Sequence, residues 1–266
     1  MAQITDALIS YAVLAVIVIG PFIAFAAVIH FLERTIQKRL AERFGWASVM
    51  WTGWLGTPIH ELSHAAMCVL FRHRIDEISL FEPDTNTGRL GFVRHSWRKG
   101  NWFEELGNAF IGIAPLVGGS VVLLVLLWMF YPGVFQFPAE TELESPKDPF
   151  AFFQNIVTVL FQLESIFSLR FWVFVYLVLC VASHMAPSRS DYEGAWKGGI
   201  MCMIGLATLI FVLSVAVPDV STIQANALRI LAPLFALLSV AVFLCGMATL
   251  IVSVAVSYFP QRYRVE

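Results

Sequence analysis

Long stretches of this chain carry no charged side chain, and that feature narrows its possible folds more than any other. Residues 198–217 have none, and residues 227–259 have only Arg229. Inside a bilayer no water is available to bond a backbone N–H or C=O, so a segment of this kind must satisfy its own peptide groups, which a helix does. A spanning helix needs about 20 apolar residues at 1.5 Å each. Stretches that approach this pattern occupy residues 7–32, 46–71, 106–130, 171–182, 198–217 and 227–259, the fourth of them short. The expectation is an all-α polytopic membrane protein with about six transmembrane helices. With 58% hydrophobic and 14% charged residues, and a mean hydropathy of +0.75, the chain is far more apolar than an ordinary soluble domain. The N-terminus lacks the basic region and small-residue cleavage site of a signal peptide, so its apolar run is expected to remain as an anchor.

Within the second run stands His60-Glu61-Leu62-Ser63-His64. On a helix, positions i and i+4 share a face, so both imidazoles can reach one ion while Glu61 sits beside them as a base. Charged and ionisable groups at membrane depth are costly unless paired or coordinated, which makes the cluster a functional site by default. The same run contains Gly53, Gly56 and Thr57-Pro58, an N-cap followed by Pro at the first helical position. A break is therefore expected there, with a new helix starting at Pro58 and His60 in its first turn.

The connecting segments divide by charge. Residues 33–43 carry Arg34, Lys38, Arg39 and Arg43 around Ile36 and Leu40, which fits either a short amphipathic segment among headgroups or a solvated connector. Residues 77–81 and 89–93 read as two strands around the turn-rich 84–88, a small β-hairpin after the histidine-bearing helix. Its edge offers a place for an extended peptide to pair, although the pattern alone favours a plain connecting hairpin slightly more. Asn108, near the start of the third run, must find a partner, and the small residues around it let helices approach closely. The acidic 131–149 loop reads as non-cytoplasmic. Gln154, Asn155 and Glu164 interrupt the apolar 150–169 stretch, which suits an interfacial or bundle-facing helix.

A hydrolytic zinc site takes three protein ligands and leaves one position open. Two histidines leave one ligand to be found. Residues 183–194 form the other place where His and acidic residues meet at a membrane boundary, and Asp191 is the candidate there, with helix N-capping as its other use. Glu104, Glu105 and Glu164 remain open as alternatives. The last two runs read as bundle packing, and Arg262 and Arg264 favour a cytoplasmic C-terminus. The four cysteines, Cys68, Cys180, Cys202 and Cys245, lie in apolar segments without metal-ribbon spacing and read as small hydrophobes. Neither the net charge of -2 nor its distribution indicates a nucleic-acid partner.

With H-E-x-x-H in an apolar run, a hairpin after it and a Pro-containing turn leading into Asp191, the chain resembles the site-2 protease family of intramembrane zinc metalloproteases. The resemblance covers residues 46–199. It implies His60, His64 and Asp191 as ligands of Zn2+, Glu61 as general base, and a peptide bond in or near a transmembrane segment of a membrane-protein substrate as the target. His184 is the candidate for steadying the oxyanion. The resemblance also implies a catalytic core at 46–199, flanked by an N-terminal anchor and connector at 1–45 and C-terminal helices at 200–266. It places 72–101 and the Asp191 turn on the cytoplasmic side of a bacterial inner membrane. The pattern departs from the family at several positions. Ala114-Pro115 stands for Gly-Pro, Gly118 for the Asn after it, Ser183 for the Asn of the turn, and Tyr192 for the Gly after the aspartate. The rivals are another class of membrane zinc hydrolase with a Glu third ligand, and a non-catalytic metal-binding regulatory protein.

Overall fold

The computed structural model describes residues 2–85, 87–135, 158–159, 167–216 and 220–259. Helix α1 (Ala2–Phe44) and helix α2 (Trp46–Leu70) lead into the antiparallel strands β1 (Arg74–Ser79) and β2 (Phe92–Ser96). Helix α3 (Trp102–Phe130) follows, then a 3-10 turn (Pro132–Phe135), α4 (Leu169–Ala182), α5 (Arg189–Ala216) and α6 (Val220–Ser257). Among the described residues, α3 and the Leu234–Ser257 part of α6 are long and apolar enough to cross a membrane. The 14 residues of α4 form a shorter apolar helix. Glu140, Glu142, Glu144 and Glu164 lie outside the described residues, as does most of the 150–169 stretch.

Helix α1 runs through the basic 33–43 segment without a break, so this segment is neither a separate interfacial helix nor a loop. The reason is an apolar stripe that does not stop where the charges begin. Ile29 and Ile36 are fully buried, with Leu32 and Leu40 packed beside them, the i, i+3, i+7 face of a helix laid against a core. Gly45, at a left-handed φ of 67°, ends the helix, and its N–H closes onto the Ala41 carbonyl. In the same way α2 passes through Pro58, and the expected break is absent. About two turns before Pro58 the helix is tied to α4, the Tyr176 hydroxyl donating to the Trp51 carbonyl at 2.7 Å. Close contact with α4 is also why residue 56 is glycine, since a Cβ there would fall 2.1 Å from the Cys180 carbonyl oxygen.

The hairpin is present but displaced from its expected place. Its register pairs Arg74 with Ser96 and Ser79 with Phe92, with an irregularity between Ile75 and Glu77. Phe81 and Leu90, expected within strands, sit in the connecting loop and pack on Gly53 of α2. Backbone bonds from Glu82 N to Leu90 O (2.6 Å) and Asp84 N to Arg89 O (2.8 Å) hold that loop together. The main apolar core lies among α1, α3, α4 and α6, around Leu123, Leu127, Phe174, Val178 and Leu244. The motif half of α2 is thereby left between α3, the start of α5 and the hairpin.

Candidate metal centre

His60 and His64, one helical turn apart on α2, are each held by a backbone carbonyl from another element. His60 Nδ1 lies 2.7 Å from His184 O, and His64 Nδ1 lies 2.7 Å from Ile111 O of α3. A carbonyl only accepts, so both Nδ1 atoms carry the proton, and in the neutral rings both Nε2 atoms present bare lone pairs. Those two Nε2 atoms face each other at 3.1 Å. Asp191 completes the group, with Oδ1 3.3 Å from His64 Nε2 and Oδ2 3.6 Å from His60 Nε2. Three electron-rich atoms turned toward one point repel unless a cation lies among them. Tetrahedral zinc with ligand bonds of about 2.0–2.1 Å separates its ligand atoms by roughly 3.3 Å, against 3.1–3.6 Å here with a different carboxylate oxygen facing each ring. The donor set and the carbonyl-anchored imidazoles fit zinc in this respect.

Asp191 reaches the histidines through the way α5 begins. Ser188 and Asp191 form a reciprocal capping box, in which Ser188 N donates to Asp191 Oδ2 at 2.6 Å and Asp191 N donates to Ser188 Oγ at 3.3 Å. The Ser188 hydroxyl also donates to Oδ2 at 2.7 Å. The cap and the approach to the two histidines thus coincide in one carboxylate. Burial opposes its ionisation, while the Ser188 N–H and hydroxyl that donate to Oδ2 favour the carboxylate. Close packing of α5 on α3 fixes the depth of the approach, because a Cβ on Gly112 would fall 2.5 Å from Ala195 Cβ and 2.8 Å from Asp191 O. The residue before Gly112 supplies the carbonyl that orients His64.

Glu61 is buried beside the histidines, and among the described residues no hydrogen bond holds its carboxylate. It lines a cavity of about 590 Å³, together with His60, His64, Asp191, Asn108, His184 and residues 88–95 of the hairpin. The hairpin loop lies directly over it, and a Cβ on Gly91 would meet Glu61 Cγ at 3.0 Å. Asn108 is buried here, its amide donating at 3.4 Å to Glu105 O.

His184 enters the site mainly through its backbone carbonyl. Its ring Nδ1 faces Cys180 O at 3.3 Å and Ser183 Oγ at 2.9 Å, while the Ser183 hydroxyl lies 2.7 Å from Leu179 O. That pattern puts the proton on Nδ1 and leaves the buried Nε2 without a hydrogen-bond partner among the described residues. Burial pushes the imidazole pKa down to about 4, so the ring is neutral near pH 7 and accepts at Nε2. Steadying an oxyanion from Nε2 would require the other tautomer.

Two of the acids left open as alternative ligands, Glu104 and Glu105, are engaged elsewhere, and Glu164 lies outside the described residues. The Glu104 carboxylate takes Arg98 N at 2.6 Å, Arg98 Nε at 2.7 Å and Asn101 Nδ2 at 3.0 Å, and Glu105 takes Gly100 N at 2.8 Å. Among the described residues, His60, His64 and Asp191 are the group of three that converges as a metal site does. Three contributors escaped the sequence reading. The Ser188-x-x-Asp191 box has a recognisable pattern; the carbonyls of Ile111 and His184 have none. No family model, curated protein or solved structure matches the chain.

Proposed function

We propose that this protein is a membrane-embedded zinc hydrolase of the site-2-protease kind, cleaving a peptide bond in or near a transmembrane segment of a membrane-protein substrate. The observation that carries the reading is the convergence of two proton-free Nε2 atoms and the Asp191 carboxylate, with the unbonded Glu61 beside them in one cavity. His60, His64 and Asp191 hold the ion, and zinc, when bound, lowers the pKa of a water toward 7 and polarises the substrate carbonyl. Glu61 takes the proton of the attacking water and returns it to the leaving amine, the work expected of a carboxylate left free of protein partners. The Ile111 and His184 carbonyls keep the imidazoles in the tautomer that binds metal.

A helical substrate hides its carbonyls, so it must unwind to be cut. The hairpin supports such a step, because β2 belongs to a two-stranded sheet and its residues Phe92 to His95 line the cavity. An extended peptide added to that edge lies along the cleft. About six spans are proposed, with residues 72–101 and the Asp191 turn facing the cytoplasm of a bacterial inner membrane. Six Lys/Arg in that hairpin segment accord with this orientation. The commitment of Glu104 to Arg98 weighs against a glutamate-ligated class, and the free Glu61 weighs against a non-catalytic regulator.

The test is Glu61→Gln in the full chain, purified in detergent and assayed for zinc and for cleavage of a panel of transmembrane peptides. Gln keeps the shape but cannot accept the proton. We expect the wild-type protein to cut at least one peptide and the variant to retain zinc while losing about 10²–10⁴-fold in rate. Zinc-loaded wild-type protein inert on the whole panel, or an unchanged rate in the variant, would reject the reading.

A further inference from the structure

The N-terminal helix carries two buried-face polar groups that the proposed mechanism does not use. Glu33 and Gln37 are one turn apart, so they project from the same face of α1, and Glu33 is only 9% exposed. Their partners lie about 150 positions along the chain, in the turn between α4 and α5. Gln37 Nε2 donates to Ser183 O at 2.6 Å and to Glu33 Oε1 at 3.1 Å, while Glu33 Oε2 accepts from Ala186 N at 2.5 Å. One carbonyl and one amide of a single turn are thus satisfied by α1.

Between those two clamped positions lies His184, whose carbonyl fixes the His60 ring at 2.7 Å. Two residues beyond Ala186, Ser188 opens the capping box that aims Asp191. The turn therefore links the group that orients one ligand to the residue that supplies another. α4 closes with Ser183 and α5 opens at Arg189, so the backbone between them has no ladder of its own.

We infer that Glu33 and Gln37 are positioning residues of the metal centre, fixing the 183–186 turn so that the His184 carbonyl holds His60 in its metal-binding orientation. This rests on the reading of His60, His64 and Asp191 as a zinc site. The basic segment read from sequence as an amphipathic or solvated connector is, on this account, part of what builds the site. What the turn needs from residue 33 is an acceptor oxygen, and Gln retains one at the same reach, whereas Leu fills the space without it. Partners in this outer position set metal affinity by about 10–100-fold.

The experiment uses the full-length protein in detergent, with zinc affinity read by competition against a chromophoric chelator and geometry read from the visible spectrum of the cobalt-loaded form. Wild type, Glu33→Gln, Glu33→Leu, Gln37→Leu and His60→Ala are compared. Expected are roughly tenfold or greater weakening and a changed cobalt spectrum for Glu33→Leu, a smaller shift in the same direction for Gln37→Leu, and affinity and spectrum near wild type for Glu33→Gln. If Glu33→Leu does not fold, the pair Gln37→Leu and Glu33→Gln carries the test. Unchanged affinity and spectrum in Glu33→Leu, or in Gln37→Leu when it carries the test, would overturn the positioning role. So would a loss in Glu33→Gln equal to that in the Leu variant. A wild-type protein that binds zinc no better than His60→Ala would instead overturn the metal site itself, and the positioning role with it.

Discussion

The two halves of the proposed metal centre are built by different means. On α2, four residues of helix bring His60 and His64 onto one face, and the spacing alone does most of the work. On the other side, Asp191 arrives from a turn held by a capping box at Ser188, by α1 through Glu33 and Gln37, and by the close approach of α5 to Gly112. A ligand pair within one helix tolerates changes around it, because the helix carries its own hydrogen bonds. A ligand on a turn inherits every error in the elements that hold the turn. The helical half should therefore lose metal outright only when a ligand itself is removed, and otherwise weaken only through the carbonyls that orient its rings, whereas the turn half should weaken in steps as its supports are taken away.

The largest effect tests the helical half. His60→Ala and His64→Ala are each expected to abolish stoichiometric zinc in purified protein, measured by elemental analysis, since each leaves two protein ligands where a hydrolytic site uses three. Full zinc in His60→Ala would remove the basis of the comparison. Next comes Asp191→Ala, which should lower zinc affinity by more than the roughly 10–100-fold of an outer-shell change while the protein still folds. Near-stoichiometric, tightly held metal in that variant would reduce Asp191 to a capping residue, whose loss costs about 1 kcal/mol of stability. The smallest effect is expected from Ser188→Ala. It removes the hydroxyl from the box but leaves the carboxylate, so unfolding should move by about 0.5–2 kcal/mol and zinc affinity by tenfold or less. An affinity loss as deep as that of Asp191→Ala would mean that the box, and not the carboxylate, sets the site.

The failures of local reading have a common origin. Phe81 and Leu90 have strand-like neighbours and were expected to pair, but both are taken up by packing on Gly53, so the strands form at Arg74–Ser79 and Phe92–Ser96. The apolar run gave the existence of the hairpin, while the surface of α2 chose its register. Pro58 reads as a helix start because it lacks an N–H, yet α2 continues through it against α4. Arg34, Lys38 and Arg39 suggest a surface segment, and the charges do lie on one side of α1. Ile29, Ile36 and Glu33 on the other side keep the same helix buried.

By itself the sequence determined the helical character of the chain, the hairpin after α2, and three of the groups that matter most: His60, Glu61 and His64. These follow from rules of short range: a backbone that must satisfy itself in an apolar medium, and a 3.6-residue repeat that turns i and i+4 to one side. Asp191 was singled out by its turn and by resemblance, but its place opposite the histidines depends on contacts far along the chain. Only the tertiary structure decided that the Ile111 and His184 carbonyls accept from Nδ1 of the His64 and His60 rings and so keep the proton there, and that α1 reaches across about 150 residues to the turn. A backbone carbonyl is the same group at every residue, so no residue type marks the one that will orient a ligand; where the chain folds back upon itself makes that choice.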